Sequence, residues 1–337
     1  NYDESNHCIN LVFLFKMIDL RSDTVTRPSL EMKAAMIDAE LGDDVFEDDP
    51  TVKAFELLTA QTFGKQAGLF CPSGTMSNQM ALMVHLKPGD EVITSRESHI
   101  YNYEGGGIAR NAGASVRLIE GSSGLIDVDD IKNNINPDDI HYPVSKLVSL
   151  ENTSNRGGGV CYKLQEIQKI KQFCNSIQIP THLDGARLFN ALVKTGDSAL
   201  EMGENFDSIS LCFSKGLGTP LGSVLVGTKE FIHKARRVRK VMGGGMRQVG
   251  MVAAAGIYAL KNNIERLKDD HENAQSIAEA ISNCSWIGSV VPVETNIVIV
   301  NLLPQYSNAD FVEKLKAKGI LVIPFGKGKI RIVTHLD

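Results

Sequence analysis

The sequence has 337 residues and only six cysteines, which form no C-x-x-C pair and follow no regular spacing. Structural zinc sites and disulfide frameworks need paired or regularly spaced cysteines, so we predict neither, and we expect no metal ion. Scattered thiols in apolar surroundings, such as Cys212 between Leu211 and Phe213, are typical of reduced core cysteines. The cysteine pattern therefore favours a cytoplasmic protein.

The sequence also has no excess of basic over acidic residues. Its formal net charge is −5 at pH 7, which argues against nucleic acid as a partner. One basic run, at residues 236–240, lies within a helical pattern. We interpret it as a helix surface that faces solvent or another subunit.

No apolar run in the sequence is long enough to suggest a membrane span. The run at residues 9–15 is short, and acidic Asp3 and Glu4 stand where a signal peptide would carry positive charge. We interpret residues 1–16 as an extension before a start at Met17, and we expect no membrane partner.

Several common catalytic signatures are missing. The sequence contains no G-x-x-x-x-G-K-[ST], no G-x-S-x-G and no H-E-x-x-H. Gly105 and Gly107 are followed by Arg110 where a dinucleotide fingerprint requires glycine. These absences argue against a P-loop NTPase, an α/β-hydrolase, a zincin and a dinucleotide-binding enzyme.

Short apolar runs alternate with helix-length segments over most of the chain. The predicted strands are residues 68–71, 91–94, 115–119, 146–150, 179–183, 208–213 and 223–226, and helices are predicted at 30–41 and 51–63. This alternation predicts an α/β domain with a mainly parallel sheet over residues 17–255, including an N-terminal arm. A long helical stretch at 256–282 then leads into a small α+β domain that ends at residue 337, with strands predicted at 295–302, 320–323 and 330–333 and a helix at 310–318.

Lys215 is the first candidate for chemistry. Ser214-Lys215-Gly216 follows an apolar run that ends at Phe213. Open α/β sheets bind ligands at the carboxyl ends of their strands, and burial there lowers the pKa of an amine and makes it a nucleophile for a carbonyl. Taken alone, the same pattern also fits a surface lysine in a turn.

Three further groups follow predicted strands. Asp184 ends a strand three residues before Arg187 and could pair with a protonated pyridine nitrogen, or simply with that arginine. Ser73, Gly74 and Thr75 join a strand to a helix and could form a phosphate cup, or serve as an ordinary helix cap. His99 could stack on an aromatic cofactor and move protons, or be structural. All of them lie at carboxyl ends of strands, and one cofactor site would explain them together.

The segments that carry these residues resemble a known family. They are residues 17–29 (MIDLRSDTVTRPS), 42–51 (GDDVFEDDPT), 149–153 (SLENT), 184–187 (DGAR), 213–222 (FSKGLGTPLG), 243–248 (GGGMRQ) and 331–335 (RIVTH). From Met17 onward the chain resembles the low-specificity L-threonine aldolases, which are fold-type I enzymes, with an aspartate-aminotransferase-like fold, that depend on pyridoxal 5′-phosphate (PLP).

The resemblance implies a role for each candidate. Lys215 would hold PLP as a Schiff base, Asp184 would pair with the pyridine nitrogen, and His99 would stack on the ring. The PLP phosphate would bind to Ser73, Gly74 and Thr75. Arg247 would contact the PLP phosphate in a neighbouring subunit. The substrate carboxylate would be bound by Ser22, Arg187 and Arg331. Sites completed across a dimer interface, and often a homotetramer, are further implications.

The implied reaction is cleavage of L-threonine or L-allo-threonine, a small β-hydroxy-α-amino acid, to glycine and acetaldehyde. Two departures from the family pattern stand out. Ser154 replaces a histidine expected to flank the substrate hydroxyl, and the chain stops at Asp337 where a final helix is expected, so the small domain is expected to be incomplete. The alternatives are a related β-eliminating lyase, a serine hydroxymethyltransferase-like enzyme, or a PLP-fold binding protein without activity.

Overall fold

The computed structural model describes residues 17–337, so the extension predicted for residues 1–16 lies outside the described residues. The α-helices of this part of the chain are α1 (Leu30–Ile37), α2 (Pro50–Thr62), α3 (Gly74–His85), α4 (His99–Asn102), α5 (Val128–Lys132), α6 (Leu164–Ser176), α7 (Leu188–Thr195), α8 (Ala199–Glu204), α9 (Lys229–Val241), α10 (Gly250–Asn262), α11 (Leu267–Ile281) and α12 (Asn308–Ala317). Its strands are β1 (Ile18–Asp19), β2 (Ala67–Cys71), β3 (Asp90–Ser95), β4 (Ser115–Ile119), β5 (Val144–Glu151), β6 (Thr181–Gly185), β7 (Ser208–Cys212), β8 (Ser223–Gly227), β9 (Ile287–Val290), β10 (Ile297–Leu302), β11 (Ile320–Leu321), β12 (Ile323–Pro324) and β13 (Lys329–Val333).

The large domain is built on a seven-stranded sheet with the order β2-β8-β7-β6-β5-β3-β4. Strand β8 runs antiparallel to both of its neighbours, and the other pairings are parallel. Every residue of β3, β6, β7 and β8 is buried, because helices cover both faces of the sheet. The predicted α/β fold with a mainly parallel sheet is therefore confirmed.

The small domain contains a four-stranded antiparallel sheet with the order β12-β13-β10-β9. The N-terminal arm joins this domain, because β1 pairs in parallel with β11 and the amide of Val333 donates to the carbonyl of Leu20 at 2.9 Å. An apolar cleft of about 490 Å³ lies on the same domain, and Trp286 and Phe311 are among its lining residues. The arm therefore connects the start of the described chain to its last strand.

The long helix predicted for residues 256–282 is not continuous. Helix α10 starts earlier, at Gly250, and ends at Asn262, and α11 starts at Leu267. The proposed boundary between residues 255 and 256 lies inside α10 and remains a proposal. No helix within residues 17–337 combines the length and the apolar character needed to cross a membrane.

Candidate active site

A cleft of about 350 Å³ brings together five residues that the sequence predicted. They are Ser22, His99, Arg187, Lys215 and Arg331. They come from the N-terminal arm, the start of α4, the turn after β6, the turn after β7 and strand β13. Residues from both domains and from the N-terminal arm therefore line the same cleft.

Lys215 lies in the turn that follows β7, with its side chain at the cleft. The turn is closed by backbone bonds: the amide of Gly218 donates to the carbonyl of Lys215 at 2.8 Å, and the amide of Thr219 donates to that of Phe213 at 3.2 Å. This is the carboxyl end of a central strand, where open α/β sheets bind their ligands.

Asp184 is buried near the end of β6, where it pairs in register with Glu151 of β5. One carboxylate oxygen accepts a hydrogen bond from the Asn78 amide at 2.9 Å, and the other accepts from the Ala186 backbone amide at 3.1 Å. An oxygen of Asp184 also lies within 4.8 Å of a ring nitrogen of His99. A carboxyl group held by two hydrogen bonds beside the cleft is a suitable partner for a cationic ring nitrogen.

His99 is held at the first position of α4 from two sides. Its backbone amide donates to Glu151 Oε2 at 2.6 Å, and its Nδ1 lies 3.0 Å from Glu104 Oε1. Burial alone would lower the pKa of His99, but the hydrogen bond to Glu104 and the charges of Asp184, Glu104 and Glu151 outweigh it and raise the pKa. The imidazole is therefore surrounded by acids that favour its protonated form.

The N-terminus of α3 adjoins the turn that carries the lysine. Ser73 caps the helix, with its Oγ accepting from the Met76 amide at 3.2 Å. A Cβ atom on Gly74 would lie 2.3 Å from the sulfur of Cys212, the last residue of β7, so only glycine allows this approach. The first-turn amides of Gly74 and Thr75 have no partner within a helix and are available to an anion.

Two buried polar atoms at the cleft lack a hydrogen-bond partner within residues 17–337. They are Oγ1 of Thr153 and Nε of Arg331, and both residues line the cleft. Together with a strand-end lysine, a buried aspartate and a helix N-terminus, they suit a planar, phosphate-bearing aldehyde and a carboxylate ligand. The donor set therefore fits PLP.

Arg187 and Arg331 differ in their surroundings. Arg187 makes two bonds of 2.7 Å to the carboxylate of Asp23, which is fully buried. Arg331 forms no ion pair within the described part of the chain. Both guanidinium groups reach Asn155 Oδ1, at 3.2 Å and 3.0 Å. Arg331 is thus the cation with free capacity for a carboxylate.

Arg247 and Ser154 do not line the cleft in the single chain. Arg247 is exposed on the surface and pairs with Asp43 at 2.9 Å. Ser154 is buried in a turn, where its Oγ accepts from the Gly157 amide at 3.2 Å and would lie 2.2 Å from a Cβ on Gly124. The structure therefore gives Ser154 a role in the turn, and a contact with the substrate hydroxyl stays a prediction.

Sequence reasoning missed several residues that organise the site. Glu151 and Asn155 line the cleft, and Asp23, Asn78 and Glu104 bind the predicted residues from behind. Burial and the charge of Asp184 raise the pKa of Glu151 to about 7. Asp23 and Glu151 lie within the family-like segments, which was the one signal available for them.

Comparison with solved structures supports the fold. The threonine aldolase of Leishmania major superimposes with a TM-score of 0.81 and 20% identity, covering 94% of each chain. An aspartate aminotransferase of Thermus thermophilus superimposes with a TM-score of 0.74 and 14% identity, covering 96% of this chain and 88% of the other. These likenesses show that the chain has the fold-type I, aspartate-aminotransferase-like fold.

Sequence comparison identifies the family to which the chain belongs within this fold. The profile of the family described as Beta-eliminating lyase matches residues 19–303. The low specificity L-threonine aldolase of Escherichia coli K12 is 43% identical over 322 residues, which cover 95% of this chain and 94% of that protein. The low-specificity L-threonine aldolase 1 of Arabidopsis thaliana is 39% identical over 329 residues, or 96% and 92% of the two chains. The chain belongs to the low-specificity L-threonine aldolase family within the β-eliminating lyases.

Proposed function

We propose that the chain catalyses the retro-aldol cleavage of L-threonine and L-allo-threonine to glycine and acetaldehyde. The observation that carries this proposal is the grouping of Lys215, His99 and Arg331 around one cleft. An amine, an imidazole backed by carboxylates and a guanidinium are the groups that a β-hydroxy-α-amino acid substrate requires. Membership of the aldolase family supports the same assignment.

The cleft, the end of β6 and the first turn of α3 supply the residues that would hold PLP. Lys215 would bind its aldehyde carbon, Asp184 its ring nitrogen, and the first turn of α3 at Ser73, Gly74 and Thr75 its phosphate, with the His99 ring stacked on it. When bound, PLP supplies an electron sink for negative charge at Cα of the amino acid.

Substrate binding is assigned mainly to Arg331. The residue lines the cleft, its buried Nε has no partner among the described residues, and Asn155 accepts from its Nη1 at 3.0 Å. Ser22 lines the same cleft and can add a hydroxyl donor. Arg187 contributes through Asn155, because its two other donor positions bind Asp23. Fixing the carboxylate fixes the direction of the Cα–Cβ bond and so selects the bond that breaks.

His99 is assigned the proton transfer. It would accept the proton of the β-hydroxyl group while the Cα–Cβ bond breaks, so that Cβ leaves as the aldehyde carbon of acetaldehyde. The electron pair of the broken bond stays on Cα, and a proton returned there completes glycine. A histidine suits this role because its pKa is close to neutral pH, and the acids around His99 shift it upward.

The test is an acetaldehyde-release assay with L-threonine, L-allo-threonine and both D-isomers, in parallel with glycine detection. We expect both L-epimers to give equal amounts of acetaldehyde and glycine. Ammonia with a 2-oxo acid would instead indicate a β-eliminating lyase, and strict dependence on folate would indicate a hydroxymethyltransferase-like enzyme. A bound cofactor without any product would indicate a binding protein.

We further propose a cytoplasmic homo-oligomer, a dimer or a tetramer, whose sites are completed across an interface. Support comes from Arg247, whose side chain is 55% exposed and lies outside the cleft of its own chain. Lys215→Ala and Arg247→Ala chains can be mixed under subunit exchange. If the arginine acts in the neighbouring site, a mixed dimer regains one intact site, and activity reappears. Continued inactivity of the mixture would contradict the shared site.

A further inference from the structure

The carboxylate of Glu104 lies behind His99 and takes no part in lining the cleft. Its side chain is completely buried. Its Oε1 accepts from the Asn78 amide at 2.9 Å, and its Oε2 accepts from the Gln79 amide at 2.7 Å. These bonds leave His99 Nδ1, at 3.0 Å, as the remaining donor.

The orientation of Asn78 is fixed by its neighbours. Its nitrogen donates to Glu104 and also to Asp184, at 2.9 Å each. Turning the amide over would place its oxygen against two carboxylates, so the oxygen must face His182 Nε2 at 3.2 Å. Gln79 is fixed in the same way, because its oxygen accepts from the Asn111 amide at 3.0 Å.

Two buried histidines complete a directed chain behind Asn78. Burial lowers the pKa of His182 to about 3 and that of His85 to about 4, so each is neutral and carries one N–H. His182 must donate from Nε2 to Asn78 and accept at Nδ1 from the Ser208 hydroxyl, at 2.8 Å. The Ser208 oxygen then accepts from His85 Nε2, at 2.8 Å.

This arrangement leaves one consistent proton assignment. Glu104 accepts at both oxygens and is a carboxylate, so His99 carries its proton on Nδ1. When the ring is neutral, as a base must be, the other nitrogen, Nε2, is then left with its lone pair free. The same amide nitrogen of Asn78 also holds Asp184, so one side chain positions both the ring-pairing acid and the carboxylate behind the base. One possible metal-ligand atom from each of His99, Glu104 and Asp184 lies within 4.8 Å of the other two. Asn78 already donates to both carboxyl groups, so hydrogen bonds account for this cluster.

We propose that Glu104 is a positioning residue that fixes His99 as its Nδ1–H tautomer. Asn78 fixes the positions of Glu104 and Asp184 relative to each other, because it donates to both. This role rests on the proposed function for its catalytic meaning, but the tautomer itself is independent of it. The groups that face His99 are Glu104 from the segment after α4, Glu151 and Asp184 from the ends of β5 and β6, and the Tyr103 ring at 5.4 Å.

The direct test is nitrogen-15 NMR of the PLP-loaded protein labelled at histidine, with the His99 signals assigned by their loss in His99→Asn. We expect the wild-type ring to be protonated on Nδ1. Asp184 keeps Asn78 as a donor in Glu104→Gln, so the new side chain must present its oxygen to Asn78 and to His99 Nδ1. We expect the Nδ1–H tautomer to persist and, because the negative charge is lost, the pKa of His99 to fall. An Nε2–H tautomer in the wild-type protein, or an unchanged pKa of His99 in Glu104→Gln, would overturn the proposal.

Kinetics give the second readout. We expect Glu104→Gln to lower kcat on the order of 100-fold while KM changes less than about threefold, because a general base contributes roughly 10²–10⁴. The acid limb of the kcat/KM profile should move to lower pH. Glu104→Asp retains the charge and should keep the Nδ1–H tautomer and recover part of kcat. A kcat of Glu104→Asp that is no higher than the kcat of Glu104→Gln would count against the role of charge.

A matched control is Glu91→Gln, which also converts a buried, amide-bonded glutamate, on β3. It should leave the His99 tautomer and kcat unchanged. An equal kcat loss in the control would assign the effect to general damage and overturn the positioning role. If the wild-type protein releases no acetaldehyde, the proposed function fails, while the NMR result still decides the tautomer.

Discussion

The bond between Asp23 and Arg187 links three parts of the molecule. Asp23 lies in the N-terminal arm, Arg187 follows β6 of the large domain, and Asn296, just before β10 of the small domain, donates to Asp23 at 3.2 Å. Both charged side chains are at most 5% exposed. We therefore expect Asp23→Asn to destabilise the fold as a whole, in addition to altering the cleft.

The size of the effect can be worked from the charges. Burial alone would raise the pKa of Asp23, but Arg187 outweighs it and lowers the pKa from 3.8 to about 2. That difference corresponds to roughly 2.5 kcal/mol of stability, present above pH 3.8 and lost as the pH falls through about 2. Removing one partner of a buried pair costs roughly 3–5 kcal/mol, because the other charge remains buried. We expect a loss of about 2–5 kcal/mol at pH 7.

Urea unfolding at fixed protein concentration measures this loss through the midpoint, provided the slope is unchanged. The control is Glu166→Gln, which removes an exposed i,i+3 pair with Lys169 and should cost less than roughly 1 kcal/mol. A double-mutant cycle with Arg187→Met should show strong coupling. A loss below about 1 kcal/mol in Asp23→Asn, or additive effects in the cycle, would refute the reasoning.

Three further predictions concern the cofactor, the substrate and a buried acid. Lys215→Ala should fold but lose the visible absorption band of bound PLP and nearly all turnover; a wild-type-like band that resists dialysis would contradict the assignment. Arg331→Lys should raise KM for threonine by the equivalent of roughly 1.5–3 kcal/mol, since a charged hydrogen bond is lost; an unchanged KM would remove Arg331 from the site. Burial raises the pKa of Glu56 from 4.5 to about 7, so its contribution to stability is full below pH 4.5 and is lost as the pH rises through about 7. The free energy of unfolding of Glu56→Gln relative to the wild type, measured with urea, should therefore rise by up to roughly 3 kcal/mol from pH 5 to pH 8. An equal stability difference between variant and wild type at the two pH values would contradict this.

The strands of the large domain could be predicted because their signals are local. The strand predicted at residues 115–119 matches β4, Ser115–Ile119, and the short apolar runs bounded by turn residues marked the others. Strand β9, Ile287–Val290, was missed because it has four residues and is partly exposed, which leaves little apolar pattern. The predicted helix at 256–282 failed because its apolar pattern continues across the break at residues 263–266, between α10 and α11.

The candidate site was predictable where it follows strand ends. Lys215, Asp184 and His99 each come shortly after an apolar run, and the structure places all three near one cleft. The residues behind them could not be found in this way. Asn78 reaches Asp184 across 106 residues, and Arg187 reaches Asp23 across 164, and no local pattern encodes such pairs. The orientation of Ser154 likewise depends on a glycine-lined turn, which residue type alone does not reveal.

The pairing of the arm with the last strands has a consequence for biosynthesis. Strand β1 needs β11, and the guanidinium of Arg331 donates to the carbonyl of Arg21, 310 residues away. During vectorial synthesis the large domain can form its sheet once β8 has emerged, whereas the side of the cleft that Arg331 lines must wait for β13. The arm itself has no strand to join until β11 has emerged. A nascent chain can therefore present Lys215 and the N-terminus of α3 well before Arg331 joins the cleft.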